Sequence, residues 1–294
     1  MKSKVYFTRR TDQDALLMLY EKLGVKLSGK VAVKLHSGEK GNQNYVRPEF
    51  VKPIIEHVCG TVVECNTAYD GARNTTDKHI KLMEEHGWSN YFRVDILDAK
   101  EEIELDIPDG QTIQKNYVGK DILNYNSMLV LSHFKGHPMG GFGGAIKQLS
   151  IGCASSGGKA YIHSAGMTKD QYTLWDHVAP QNQFLESMAD AARSVVDLLN
   201  HKIIYINMLV NLSVDCDCCA VAEDPCMKDI GMMISVDPLA IDQACIDMIY
   251  KSEDRGRDHF VERVTRQNGL HTLEAAQKVN LGSREYELID VDNE

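Results

Sequence analysis

Runs of consecutive apolar residues, such as VAV at 31–33 and SMLVL at 127–131, alternate with stretches of helical period, and this alternation constrains the fold most tightly. Short buried strands are expected at 5–7, 31–35, 61–65, 127–131, 203–210 and 230–236. Helices are expected at 13–23 after an Asp12 cap, within 46–58 with Pro48 near its start, at 75–86 before Gly87, and at 182–199. Two more are expected at 238–250, behind an Asp237-Pro238 opening, and at 272–279. The segments 103–107 and 113–118 flank a Pro108-Asp109-Gly110 turn and read as an inserted hairpin. The predicted class is α/β: a compact mixed, mostly parallel sheet flanked by helices, with a small β-hairpin insertion. The first strand, helix and second strand read as a β-α-β opening. No repeat or linker divides the chain, so 1–294 is expected to form a single α/β domain or two closely packed lobes.

Composition narrows the function. The 294 residues carry 32 Lys plus Arg against 42 Asp plus Glu, a net charge of −10, which argues against a nucleic-acid partner. The start MKSKVYFTRRTDQDALL lacks the apolar core of a signal peptide, and no apolar run is long enough to cross a membrane. A cytoplasmic location is therefore expected, with the eight cysteines as reduced thiols.

Two constellations concentrate the chemistry. In 132–147 five glycines, two histidines and two lysines follow the strand at 127–131. Such a loop exposes backbone N–H groups and positive charge, which suits a small anionic ligand. His133, His137 and Lys147 are the candidate catalytic residues there, and Lys135, Gly140, Gly141, Gly143 and Gly144 the candidate ligand-binding ones. The glycine spacing matches neither a Walker loop nor a dinucleotide fingerprint, so ATP and NAD are not indicated. The second constellation gathers four of the eight cysteines, Cys216, Cys218, Cys219 and Cys226, into eleven residues. Four soft thiolates can hold an iron-sulfur cluster or another metal, although the C-x-C-C-x6-C spacing matches neither a zinc ribbon nor a ferredoxin. Structural cysteines or redox-sensing thiols read the same residues without metal. Lys34 and His36 after the second strand, and Asn66, Thr67 and Arg73 after the third, join the ligand-binding candidates, because doubly wound sheets place their crevice at strand carboxyl ends. Capping and turn chemistry competes for Asn66 and Thr67.

Long segments carry a resemblance: VKLHSGEKGNQNYVRPEF at 33–50, ECNTAYDGAR at 64–73, EHGW at 85–88, LSHFKGHPMGGFGGAIKQLSIGCASSGGKAYIHS at 131–164, DCDCC at 215–219 and DIGMMISVDPLAIDQACIDMI at 229–249. Over nearly its whole length the chain resembles the uncharacterised iron-sulfur centre proteins known as domain of unknown function 362. His163, inside the longest of these segments, completes the ligand-binding candidates. Many members of that family carry a ferredoxin-like insert between the positions of His163 and Asn182, whereas 165–183 here contains no cysteine. A more distant likeness is to the amino-terminal domain of nickel-pincer lactate racemases, in which a lysine after a Gly-Gly holds the cofactor. Here His137, Gly143, Gly144 and Lys147 resemble that pattern, with Ala145 and Ile146 standing where the racemases have one residue.

These readings converge on a metal-binding protein of redox or isomerase type, taking a small anionic substrate or cofactor at 132–147 and, for a redox role, a redox partner. The competing reading is a non-catalytic anion-binding protein whose cysteines are structural or redox-sensing. An enzyme using one clustered cysteine as nucleophile is a third. Oligomeric state is not indicated.

Overall fold

The computed structural model describes residues 2–293. In chain order the elements are β1 (Ser3–Thr8), α1 (Gln13–Leu23), β2 (Val31–Lys34), α2 (Pro48–His57), β3 (Thr61–Glu64), α3 (Thr76–Glu85), α4 (Trp88–Tyr91), β4 (Val94–Ile96), β5 (Glu102–Asp106) and β6 (Lys115–Gly119). Then come β7 (Ser127–His133), β8 (Lys135–His137), β9 (Gly141–Gly143), α5 (Ala145–Cys153), α6 (Ser156–His163), α7 (Gln181–Leu198), β10 (Ile203–Leu209), β11 (Gly231–Ser235), α8 (Pro238–Lys251), α9 (Arg257–Arg266), α10 (His271–Lys278) and β12 (Tyr286–Asp290).

Eight strands form one sheet in the order β12-β1-β11-β10-β7-β2-β3-β4. Every neighbouring pair is parallel except the two made by β11, so the sheet is mixed and mostly parallel. Its strands are apolar at successive positions because both faces are covered. Met128 and Val130 of β7, with Ile203 and Tyr205 of β10, enter one core against α5, α7 and α8. The alternate residues Leu129, Leu131, Ile204 and Ile206 enter a second core against α1 and α2. Local chemistry sets the helix ends. The Asp12 side chain accepts from Ala15 N at 3.0 Å, Gly24 closes α1 in the left-handed region, Pro48 opens α2, and Asp237 caps α8.

Some expectations change. β1 runs parallel to β2 but lies three strands away, with β11, β10 and β7 between them, so the opening β-α-β is not a pair of neighbours. The expected hairpin exists as the antiparallel pair β5 and β6. The glycine-rich segment is not an irregular loop: it folds as the β8-β9 hairpin and runs into α5, which carries Lys147. α4, β4, α6, α9 and β12 were not foreseen.

Candidate functional site

The strand order reverses between β2 and β7, the place where open α/β sheets bind ligands. The chain segments leaving the carboxyl ends of β2, β3, β7 and β10 meet there around a cavity of about 360 Å³, which α5 and α6 complete. Lys34, Arg73, Lys147 and Lys159 line it against a single lining carboxylate, Glu64; His36, His137, His163 and Cys218 add further polar atoms. Leu174 and the half-exposed Trp175 give it an apolar side.

Most of its charges are held in place. Lys34 Nζ, fully buried, lies 3.2 Å from Glu64 Oε2, donates to Leu35 O at 2.5 Å and reaches Gln148 Oε1 at 3.3 Å. Glu64 Oε1 accepts from Ser37 N and Ser37 Oγ, both at 2.7 Å. Burial pushes the Glu64 carboxyl up, but the Lys34 charge and His79 outweigh it and hold the group well below the usual carboxylate range. Arg73 donates to Glu39 Oε2 at 3.2 Å and to Tyr69 Oη at 2.9 Å. Lys147, half-buried, has no hydrogen bond or ion pair at its ammonium among the described residues and is the cation best able to meet a ligand.

His137 and Cys218 of the cavity wall, with the fully buried Cys216, bring one ligand atom each within 4.8 Å of one another, a group that could hold a metal ion. The turn at 217–218, closed by Cys219 N donating to Cys216 O at 2.9 Å, directs the two thiols to one place. His137 Nδ1 accepts from Met139 N at 3.1 Å and Gly140 N at 2.8 Å, so the ring proton resides on Nε2, which faces Cys218 Sγ at 3.8 Å. Burial, with Lys147 nearby, lowers His137 to about 4, and burial pushes the Cys216 thiol up to about 11. Cys219 touches Cys218, and that hydrogen bond lowers it against burial. Cys226 lies apart, its thiol donating to Leu212 O at 3.3 Å, so only two of the four clustered cysteines enter the group.

Other sequence candidates sit elsewhere for identifiable reasons. His133 faces the Asp217 carboxylate with Nδ1, at 2.9 and 3.1 Å, and Val210 O with Nε2 at 2.7 Å; neither nitrogen is left to exchange a proton with a ligand. Lys135 Nζ lies 2.8 Å from Asp217 Oδ2, so its charge is answered inside the protein rather than by an anion in the cavity. Burial pushes the Asp217 carboxyl up, yet its contacts with His133 and Lys135 hold it far below its usual range. Asn66 joins the end of β3 to α3, donating to Thr76 Oγ1 at 3.1 Å, while Thr67 does line the cavity.

None of Gly140, Gly141, Gly143 and Gly144 lines the cavity. Gly141, at φ +78°, lets the β8-β9 turn pass Gly269, and Gly144 makes room for Asp242 of α8, whose carboxylate accepts from Ala145 N at 2.8 Å and Ile146 N at 3.0 Å. The amides at the start of α5 thus hold an internal carboxylate, not a ligand. Sequence reasoning missed Glu64, Gln148 and Lys159 as cavity residues and Asp242 as the anion at α5. A carboxylate opening the polar ECNTAYDGAR segment was the available signal for Glu64; nothing in the pattern marked Lys159.

The sequence profile of the family described as "Domain of unknown function (DUF362)" matches residues 31–247. The chain belongs to the DUF362 family. The matched span of this DUF362 chain runs from β2 into α8 and so includes every strand end that reaches the cavity. No curated protein matches it. Among solved structures the DUF362 chain is similar to the lactate racemase apoprotein from Thermoanaerobacterium thermosaccharolyticum, at 15% identity and a TM-score of 0.40, over 70% of this chain and 50% of the other. It spans half the length of that racemase chain. Among the described residues no helix is long and apolar enough to cross a membrane.

Proposed function

We propose that this chain is a metal-dependent protein of redox or isomerase type that takes a small anionic substrate or cofactor in its cationic cavity. The observation that carries the reading is the convergence of His137 and Cys218, on the wall of a cavity lined by four cations and one carboxylate, with the fully buried Cys216 beside them. Two thiols and one imidazole suit a soft or borderline ion such as zinc or a single iron. With Cys226 turned to Leu212 O, the donor set supports a mononuclear site better than a four-thiolate cluster. Once bound, the metal would supply Lewis acidity or, as iron, electron transfer, the latter with a redox partner.

The chain's own groups have separable roles. Lys147 pairs with the anionic end of the ligand, and the Lys34–Glu64 pair fixes the cavity floor. His163 donates from Nδ1 to Lys159 O at 2.7 Å, which leaves Nε2 as an acceptor for a ligand hydroxyl. Because the Cys216 and Cys218 thiols must bind as thiolates, metal uptake is expected to release protons, while His137 has only to shift its ring proton.

Metal and acid-labile sulfide analysis of protein prepared without oxygen tests the reading, with the C216S and C218S variants alongside. Stoichiometric metal that both variants lose is expected. A preparation free of metal after reconstitution with zinc and with iron, yet stabilised against heat by phosphate or small carboxylates, would overturn it in favour of a non-catalytic anion-binding protein.

A further inference from the structure

Of the four cations lining the cavity, Lys34 and Arg73 are paired with Glu64 and Glu39, and Lys147 is half-buried. Lys159 is different. It is buried, with 7% of its surface exposed, and no carboxylate among the described residues lies within ion-pair distance of it. Its Nζ donates to Ala154 O at 2.5 Å, a neutral acceptor that a neutral amine also satisfies. Cys65, Ala68 and Leu174 line the same cavity, and burial lowers the proton affinity of the amine against the opposing pull of Cys65 and Asp98, with Lys34 adding a smaller push. A lysine desolvated in a pocket without a carboxylate partner is the environment that activates an amine as a nucleophile. Its placement is firm as well: Ser155 caps α6 by accepting from Gly158 N at 2.9 Å, and His163 one turn on bonds the Lys159 carbonyl.

We propose that Lys159 is an imine-forming residue, adding through Nζ to the carbonyl carbon of a small aldehyde or ketone whose carboxylate or phosphate group is held by Lys147. In the addition a C–N bond forms and the carbonyl π pair moves to oxygen. The carbinolamine then loses that oxygen as water, both protons of the neutral amine leave with it, and the C=N bond closes with no change of oxidation state. This inference rests on the cavity being a ligand site and is independent of the metal.

The test uses glyoxylate as the charged probe and acetaldehyde as the uncharged one, each with cyanoborohydride to trap the imine, followed by intact mass and peptide mapping. One glyoxylate adduct, on Lys159, is expected, and it is absent from the K159M variant. That variant replaces a buried amine that has no carboxylate partner, at the loss of its bond to Ala154 O; should it fail to fold, K159R serves, since it keeps a donor there but cannot form the imine. The K147M variant should slow glyoxylate trapping about tenfold while leaving acetaldehyde trapping unchanged. Labels scattered over surface lysines at the same rate in parent and K159M would overturn the inference. Metal content is measured on the same samples: adducts at Lys159 on protein that never binds metal would sustain this inference while removing the metal reading, and retained metal without Lys159 adducts would do the reverse.

Discussion

Gly144 stands so close to Asp242 that a Cβ built on it would lie 2.3 Å from Asp242 Oδ1. The missing side chain is what lets the α8 carboxylate reach the first amides of α5, and so fixes the helix carrying Lys147. The G144A variant is expected to lose about 2–3 kcal/mol, as the cap is pushed away from two buried N–H groups. At the adjacent Gly143 the nearest atom to an added Cβ is Lys147 Cδ at 3.4 Å, so G143A should cost far less. Urea midpoints of the two variants check this, and equal losses would refute it.

Removing one partner of the buried Lys34–Glu64 pair should be worse than removing both. K34M leaves Glu64 ionised and almost fully buried, at a cost of about 3–5 kcal/mol, while K34M/E64Q should recover a large part of it. A double-mutant cycle in urea measures the difference; additive losses would show that the pair does not act as a unit.

Acid should destabilise the fold through its neutral histidines. Burial lowers His163 to about 4, below the roughly 6.5 of an unfolded chain. The unfolded state therefore takes up the proton first: the His163 contribution is complete above about pH 6.5 and is lost as pH falls toward 4, reaching about 3 kcal/mol. Unfolding free energies between pH 4.5 and 8 should fall on acidification in the parent and less steeply in H163Q. Parallel curves would contradict the assignment.

The cysteines should separate by reactivity once any metal is chelated. Cys219 is lowered chiefly by its hydrogen bond with Cys218, whereas burial pushes Cys226 up to about 11. Iodoacetamide near pH 7.5 should alkylate Cys219 before Cys226, and reach Cys65, Cys153 and Cys245 only after unfolding. Peptide mapping over time reads the order, and Cys226 ahead of Cys219 would reverse the picture.

Much of the sheet was legible because both of its faces are covered: strands such as 127–131 read as unbroken apolar runs, and helix limits at Asp12, Pro48 and Asp237 carry their own chemistry. α9 was not legible, since Phe260 and Val264 are its only buried residues and too thin a stripe for periodicity to register. Gly157 and Gly158 hid α6 behind poor helix propensity. For the site, the candidates Lys34, His36, Thr67, Arg73, His137, Lys147, His163 and Cys218, drawn from residue type and strand-end position, line one cavity. His133, Lys135 and the glycines are engaged instead by Asp217, Gly269 and Asp242, partners distant in sequence and brought near only by folding.

His137 and Cys218 are 81 residues apart and meet because β7 and β10 lie side by side. Between them runs the segment 164–180, with Met167, Tyr172 and Trp175 open to solvent, the kind of stretch a protease cuts first. A cation gripped from both sides of that stretch would act as a clasp across the cut. Two fragments produced there would still share the β7–β10 pairing, and the cation would add to that hold, so the denaturant needed to part a severed polypeptide becomes a reading of occupancy.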